Sequence, residues 1–157
     1  MPRSLLTAFQ RQVLETYFRH EKRFFLSGGA ALAGFHLGHR ATHDLVRDRA
    51  PQGELPKLIF GDVRVDPPEE ILANKLCALL SRSELRDLID VRALEQAGFR
   101  VEDALPLAQN KDAGLTPAQL AWVLSGIDFA GIPQGRELSA YVESLSRRLV
   151  AKAMPSA

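Results

Sequence analysis

The sequence has one cysteine, Cys77, and no long apolar run. A single cysteine excludes an internal disulfide and is typical of a reducing compartment, so we expect a cytoplasmic protein. No apolar run reaches the roughly 20 residues that a membrane-spanning helix needs, so no membrane partner is expected. Polar residues at positions 10–12 interrupt the apolar pattern near the N-terminus, which argues against a secretory signal peptide.

The chain also lacks an excess of positive or negative residues, since its formal net charge is +1. This balance argues against non-specific coating of nucleic acid, although a local basic patch remains compatible with it. The hydrophobic fraction of 46% and the charged fraction of 25% are average for globular proteins and exclude extensive disorder. The length of 157 residues predicts one domain, residues 1–157.

Residues 1–65 predict the α/β part of an α+β fold. Apolar residues recur at helical spacing between Leu5 and Phe18, which predicts an amphipathic first helix. Short strands are predicted over 23–26, 43–47 and 57–65. Gly61 and Asp62 interrupt the last of these with either a hairpin turn or a bulge.

Residues 66–157 predict a helical part. Asp66 is predicted to cap a helix that Pro67 and Pro68 begin, with acidic residues in its first turn. Further helices are predicted over about 83–96, 116–124 and 136–153, the first of them ending at Gly98. The second should carry a capping box that starts at Thr116.

A double glycine follows the first predicted strand, in the run Ser27-Gly28-Gly29. Glycines at a strand-to-helix junction let the backbone approach a ligand closely, and the N–H groups of the next helix favour phosphate. Asp44, on the following strand, could hold a metal ion against that phosphate. An ordinary tight turn is the alternative interpretation, since short glycine motifs alone are weak signals.

The helix after Pro67 places a lysine on its apolar side. At about 100° per residue, Lys75 falls inside the arc of apolar residues, and Arg82 lies one heptad further along the same edge. A lysine there either extends its ammonium outward to solvent or lines a cleft and binds an anionic ligand such as a nucleoside triphosphate. The apolar arc consists of Ile71, Leu72, Leu76, Leu79 and Leu80.

The next helix carries Arg86, Asp87 and Asp90. Arg86 and Asp90 are four residues apart and share a face, where an exposed ion pair is the simplest interpretation. Asp87 is expected on the opposite flank. The histidines His36, His39 and His43 lack the spacing of a zinc site, and Cys77, opposite the apolar arc, is not expected to act as a nucleophile.

Two motifs in this order resemble the AbiEii/AbiGii nucleotidyltransferase family, the toxins of type IV toxin–antitoxin systems. The first comprises residues 27–33 and 39–45, with the sequences SGGAALA and HRATHDL. The second comprises residues 70–82, EILANKLCALLSR, and residues 86–90, RDLID. Together the motifs cover about residues 20 to 95.

The resemblance implies a truncated DNA-polymerase-β-like nucleotidyltransferase core, a small mixed sheet with flanking helices, followed by a helical C-terminal half. It implies a nucleoside triphosphate substrate, Mg²⁺ and an RNA or protein acceptor, and it makes a cognate antitoxin an expected partner. Ser27, Gly28 and Gly29 would bind the triphosphate with Lys75, Arg82 and Arg86. The implied catalytic residues are Asp44, which is also the metal ligand, Lys75, Asp87 and Asp90.

The sequence departs from the family pattern after Asp44. The family places a second carboxylate two residues later, where this chain has Val46. Asp48 shares the face of Asp44 but lies about 13 Å further along an extended strand, whereas paired metals are about 3.5–4 Å apart. We hypothesise that a segment between two Asp-Leu dipeptides was lost, which fused the first and third acidic strands into residues 44–51.

Three functions remain open at this stage. The first is a magnesium-dependent nucleotidyltransferase impaired by the missing carboxylate. The second is a catalytically inactive remnant that serves as a nucleotide-binding or protein-interaction module, using the positive field of its lysine and arginines. The third is a small α+β protein with an unrelated role.

Overall fold

A computed structural model of the protein describes residues 4–42, 47–49 and 55–154. The chain divides into two compact units, Met1–Ile71 and Leu72–Ala157. The division falls inside a helix, a few residues after the predicted boundary at residue 65. A single folding domain stays a prediction.

The first unit combines short strands with helices. Helix α1 begins after Thr7, whose hydroxyl accepts from the Gln10 N–H while the Gln10 side chain accepts from the Thr7 N–H, a complete capping box. The elements in chain order are α1 (Ala8–His20), β1 (Phe24–Leu26), α2 (Gly28–Ala31), β2 (Arg47–Arg49), β3 (Leu58–Phe60), β4 (Val63–Val65) and the start of α3 (Pro68–Arg82).

The four strands form one mixed sheet in the order β2-β1-β4-β3. Strand β1 pairs antiparallel with β2 and parallel with β4, so that Leu26 lies opposite Val65. The β3–β4 pair is an antiparallel hairpin whose turn contains Gly61 at φ 61°. The hairpin alternative for Gly61 and Asp62 is therefore confirmed. Because residues 43–46 and 50–54 lie outside the described residues, the fused-strand hypothesis stays untested.

Helix α2 continues without a break into a π-helical turn, Leu32–His36. The N–H groups of Leu37 and Gly38 both donate to the Leu32 carbonyl, at 2.7 and 3.1 Å. A π turn closes its hydrogen bond over five residues and so contains one residue more than an α turn. This turn sets the direction of the His36 side chain.

Apolar side chains fill the interior of the first unit. Strands β1 and β4 contribute two buried residues each, and the small residues of α2 allow close packing. The fully or nearly fully buried members are Leu14, Phe18, Phe25, Leu26, Ala30, Ala31, Leu32, Ala33, Val63 and Val65.

The second unit is helical, as predicted. It contains the remainder of α3, then α4 (Leu85–Gln96), α5 (Val101–Lys111), α6 (Pro117–Ser125) and α7 (Gly135–Ala153). Gly98, at φ 101°, follows α4, and the Thr116 hydroxyl caps α6 by accepting from the Gln119 N–H. Its buried core includes Leu76, Leu79, Leu88, Val91, Leu94, Leu115, Leu120, Leu124, Leu138, Leu145 and Leu149.

A polar network connects α4, α5 and α7 within the second unit. Arg148 donates to Glu95 at 2.7 Å and to Glu102 at 2.9 Å, and the Tyr141 hydroxyl donates to Glu95 at 2.7 Å. Burial acts to raise the pKa of Glu95, but hydrogen bonds from Arg148, Tyr141 and the Val101 N–H outweigh it and hold that pKa below its ordinary value. Burial, followed by the bond to Glu95, raises the pKa of Tyr141.

The predicted α+β class, a small mixed sheet with helices followed by a helical part, is confirmed. None of the helices described for this chain combines the length and the apolar character needed to cross a bilayer.

Candidate functional site

The Ser27-Gly28-Gly29 segment lies at the carboxyl end of β1, where α2 begins. Gly28 has φ 64°, a conformation that residues with a Cβ rarely adopt, and Ser27 is only 5% exposed. Both glycines belong to the first turn of the helix, so their N–H groups are among those that an α-helix leaves unpaired at its start. The predicted strand-to-helix junction is therefore present.

Arg40 lies against this glycine turn. A Cβ added to Gly29 would be 2.9 Å from Arg40 Nη2 and 3.6 Å from Thr42 Oγ1. Glycine at position 29 therefore leaves the space that the guanidinium occupies. Arginine suits phosphate recognition because its planar fork donates several hydrogen bonds. The sequence analysis assigned no role to Arg40.

A buried carboxylate, Asp66, lies beside the glycine turn. Strands β1 and β4 are parallel, so their carboxyl ends meet at one edge, and the Asp66 N–H donates to the Leu26 carbonyl at 2.9 Å. The carboxylate is completely buried and pairs with Lys57 Nζ at 2.7 Å, although Asp66 was predicted to cap α3. It is displaced from that role because the Pro67 carbonyl accepts the first helical bond, from the Ile71 N–H.

Burial raises the pKa of Asp66. Hydrogen bonds from Lys57 and from the Ser27 hydroxyl act in the opposite direction, and the nearby charge of Glu70 adds to the rise. A buried carboxyl with a perturbed pKa at a strand edge is a common feature of functional sites. Asp66, Lys57 and Ser27 thus form a compact polar group next to the glycine turn.

Two further side chains border Asp66. His36 Nε2 is 2.7 Å from the Asp66 carbonyl oxygen, and burial lowers the pKa of His36 below its ordinary value. Its ring is consequently neutral near pH 7 and donates through Nε2. Glu70, in the first turn of α3, is completely buried and accepts from the Leu55 N–H at 3.0 Å.

In the second unit, Lys75 forms a buried cluster with both candidate aspartates. Its ammonium is 2.7 Å from Asp87 Oδ1 and 2.7 Å from Asp90 Oδ2. Lys75 is 7% exposed and the aspartates are completely buried. The expectation that Asp87 lies on the opposite flank from Asp90 is wrong, because residues three apart on a helix are neighbours and both carboxylates face the same lysine.

The arginines predicted to bind phosphate have acidic partners. Arg82 Nη2 is 2.9 Å from Asp87 Oδ2, so Asp87 accepts from a lysine through one oxygen and from an arginine through the other. Arg86 Nε is 2.6 Å from a Glu84 oxygen, a surface pair of two half-exposed side chains. The structure therefore brings Lys75, Arg82, Asp87 and Asp90 together, while Arg86 pairs on the surface.

Asp87 and Asp90 do not fit a magnesium site, and the predicted metal ligand Asp44 remains untested. Asp44 lies outside the described residues, and Asp87 and Asp90 already bind an ammonium. Among residues 4–42, 47–49 and 55–154, no group of three His, Cys, Asp or Glu side chains could hold a metal ion.

Cys77 lies on α3 and is half-buried. Its thiol donates to the Ala108 carbonyl at 3.5 Å. Burial raises the pKa of Cys77, which keeps the thiol protonated and poorly nucleophilic.

Sequence reasoning missed the positions of Arg40 and Lys57 and the place of Asp66 beside the glycine turn. The signal for Asp66 was its place directly after an apolar strand, but only the parallel pairing of β1 with β4 brings it beside Ser27. No local pattern predicts that pairing, since the two strands are far apart in the sequence.

The comparisons with known proteins support one family. A model of the nucleotidyl transferase AbiEii toxin of type IV toxin–antitoxin systems matches residues 46–121, just under half of the chain. The resemblance found in the sequence is confirmed over this segment, which contains the lysine and both aspartates of the buried cluster. The glycine turn precedes it. No curated protein and no solved structure matches the chain.

Proposed function

We propose that this chain is a nucleotidyltransferase of the toxin type, which transfers a nucleotide from a nucleoside triphosphate to an RNA or protein acceptor. The observation that carries the proposal is the match of residues 46–121 to a family of nucleotidyl transferase toxins. Within that segment the chain keeps a buried lysine between two aspartates, an expensive arrangement that natural proteins rarely retain without a use.

The glycine turn is the proposed phosphate-binding element of the first unit. Ser27, Gly28 and Gly29 present backbone N–H groups at the start of α2, and Arg40 places a guanidinium against Gly29. Backbone donors and a guanidinium together suit a triphosphate, because each supplies hydrogen bonds to phosphate oxygens. The turn precedes the matched segment, so this support is geometric and independent of the family match.

The roles of the other predicted residues follow from their surroundings. Lys75 is proposed to donate to a phosphate oxygen, with Arg82 and Arg86 contributing positive field. Asp44 is proposed as the catalytic carboxylate and metal ligand, as the resemblance implies. Asp87 and Asp90 are proposed to act indirectly, by holding the ammonium of Lys75 in place.

The wider setting of the proposal also comes from the family. A type IV toxin implies a cognate antitoxin. Location in the cytoplasm, expected from the single cysteine, belongs to the same proposal.

One observation favours a second candidate, the inactive remnant. Asp87 and Asp90 accept from cations, and position 46 carries Val where the family pattern has a carboxylate. A chain of this kind would bind nucleotide at the glycine turn without transferring it, and would act as a binding or interaction module.

A transfer assay distinguishes the two candidates. Purified protein is incubated with Mg²⁺, each labelled nucleoside triphosphate in turn, and either bulk RNA or protein acceptors. The enzyme should label an acceptor, and Asp44→Ala should abolish the labelling. Triphosphate binding without labelling would favour the remnant, and labelling that survives Asp44→Ala would contradict the catalytic role of Asp44.

Gly29→Ala tests the glycine turn directly. The new Cβ would lie 2.9 Å from Arg40 Nη2 and must displace the guanidinium, whose flexible stem allows it to move without unfolding the chain. We expect about tenfold weaker triphosphate binding, the effect of losing one charge-assisted hydrogen bond. The matched control is Gly126→Ala, whose Cβ would be at an ordinary 3.5 Å from the Val123 carbonyl oxygen. Equal affinities of the two variants would contradict the proposed turn.

A further inference from the structure

We infer that Asp87 and Asp90 are positioning residues for Lys75 and are not metal ligands: they form an anionic seat that fixes the lysine ammonium. The inference rests on the proposed function only in its last step, in which the fixed ammonium binds a phosphate oxygen. We define the anionic seat as these two aspartates.

Two buried carboxylates hold the ammonium of Lys75. An ammonium has three N–H donors, and Asp87 Oδ1 and Asp90 Oδ2 each lie 2.7 Å from Lys75 Nζ. Both carboxylates are completely buried, whereas 9% of the lysine side chain is exposed. Two of the three donors are thereby engaged, and within the part of the chain that the structure describes no third carboxylate pairs with this ammonium.

The charges of the cluster carry the second step. Asp87 Oδ2 accepts from Arg82 Nη2 at 2.9 Å and from Arg82 Nε at 3.0 Å, so both oxygens of Asp87 face cations, and Arg82 Nε also lies 3.7 Å from Glu84. A divalent cation on Asp87 would lie beside both the ammonium and the guanidinium. In a buried position that repulsion is screened weakly, so the seat selects a monovalent organic cation over a metal.

The length of the lysine side chain carries the third step. Lysine has a flexible stem of four carbons and three rotatable donors, so an unsupported ammonium points in many directions. Held by two carboxylates, it keeps one free direction for its remaining N–H. The anionic seat therefore fixes the ammonium so that its third N–H donates in one direction. In this proposal the acceptor is one phosphate oxygen of the triphosphate.

Triphosphate affinity tests the functional half of the inference. We expect Asp87→Asn and Asp90→Asn each to weaken binding about tenfold, comparable with Lys75→Met, because each releases or removes the same charge-assisted donor. In the Lys75→Met background, the aspartate substitutions should add less than about twofold, as expected for residues that act through one group. Full, multiplicative losses in that background would overturn the inference.

The affinity for Mn²⁺ distinguishes aspartates that hold the lysine from aspartates that bind a metal ion. Titration with Mn²⁺ alone, followed by electron paramagnetic resonance, should give the same affinity for wild type, Asp87→Asn and Asp90→Asn. The matched control is Asp103→Asn, an exposed aspartate of α5. A tenfold or larger loss of Mn²⁺ affinity in either seat variant, but not in the control, would overturn the inference.

Folding without nucleotide provides a measurement that does not depend on the proposed function. If Lys75→Met does not fold, Lys75→Gln keeps a polar side chain between the carboxylates without the charge and serves as the background instead. Denaturant midpoints should show strong coupling between position 75 and each aspartate, and additive effects would overturn the inference.

A wild type that binds no triphosphate would overturn the proposed function. The Mn²⁺ and coupling results would still decide whether the two aspartates hold the lysine.

Discussion

Each of the two units contains a lysine of low exposure paired with a buried aspartate at the same distance. In the first, Lys57 Nζ is 2.7 Å from Asp66 and 4.0 Å from the centre of the Phe25 ring. In the second, Lys75 is 2.7 Å from Asp87 and from Asp90, and Arg82 adds a second cation. The N–O distances of the two pairs agree, but the number of charged groups around each lysine differs.

The difference between the two pairs lies in the number of charges around the lysine and not in the pair distance. Asp66 has one cation, and Glu70 adds a second negative charge nearby, so burial raises the pKa of Asp66 despite the lysine. Around Lys75, two cations meet two buried carboxylates. Loss of Lys57 leaves one buried carboxyl whose pKa is already raised, whereas loss of Lys75 removes the shared partner of two buried carboxylates.

Lys75→Met should give the largest effect. It leaves Asp87 and Asp90 buried without the ammonium, and breaking a buried pair costs about 3–5 kcal/mol in the free energy of unfolding. Urea denaturation at pH 7 measures this value. The control is Lys152→Met, an exposed lysine in the last turn of α7. A loss no larger than that of the control would mean that the cluster contributes little to stability.

Lys57→Met should cost less, about 1–3 kcal/mol, because Asp66 can become protonated and then needs only ordinary hydrogen bonds. The same urea measurement applies, repeated at pH 5, where protonation of Asp66 is easier and the loss should shrink. A loss equal to that of Lys75→Met at both pH values would remove the proposed distinction between the two units.

Asp66→Asn should give the smallest effect, a change in how the free energy of unfolding varies with pH. Asp66 has a higher pKa in the folded chain than its ordinary 3.8, so the folded chain binds more protons between these two values. Its contribution to the free energy of unfolding therefore falls as pH rises from 3.8 through the raised pKa. Without the carboxyl, this decline should disappear.

The measurement is the urea midpoint across that pH range. Asp103→Asn, an exposed substitution of the same type, should leave the slope unchanged. A steeper decline in Asp66→Asn than in wild type would show that the sign of the pKa shift is wrong.

Local patterns predicted most of the fold. Helical spacing predicted α1 and α3, Thr116 with Pro117 predicted the start of α6, and Gly98 marked the end of α4. These signals act over a few residues, so the sequence contains them directly. The position of Lys75 within the apolar arc was read in the same way, and the structure buries it.

The non-local features could not be predicted. Helical spacing places Asp87 beside Asp90, but the lysine that binds both carboxylates lies on another helix, α3. Asp66 was interpreted as a cap because its sequence neighbours are prolines, and its partner Lys57 precedes a hairpin. In both cases burial favours charge pairs between elements, and spacing along one element does not show those partners.

The π turn at Leu32–His36 makes the length of the chain at this point a determinant of its structure. It holds one residue more than an α turn, so deleting a single residue would let the segment close as a regular α turn. The bond from His36 Nε2 to the Asp66 carbonyl depends on the longer turn, and the deletion should break it although every chemical group of the pair remained present. Gly34 within this turn is constrained as well, because a Cβ there would be 2.5 Å from Leu6 Cδ1.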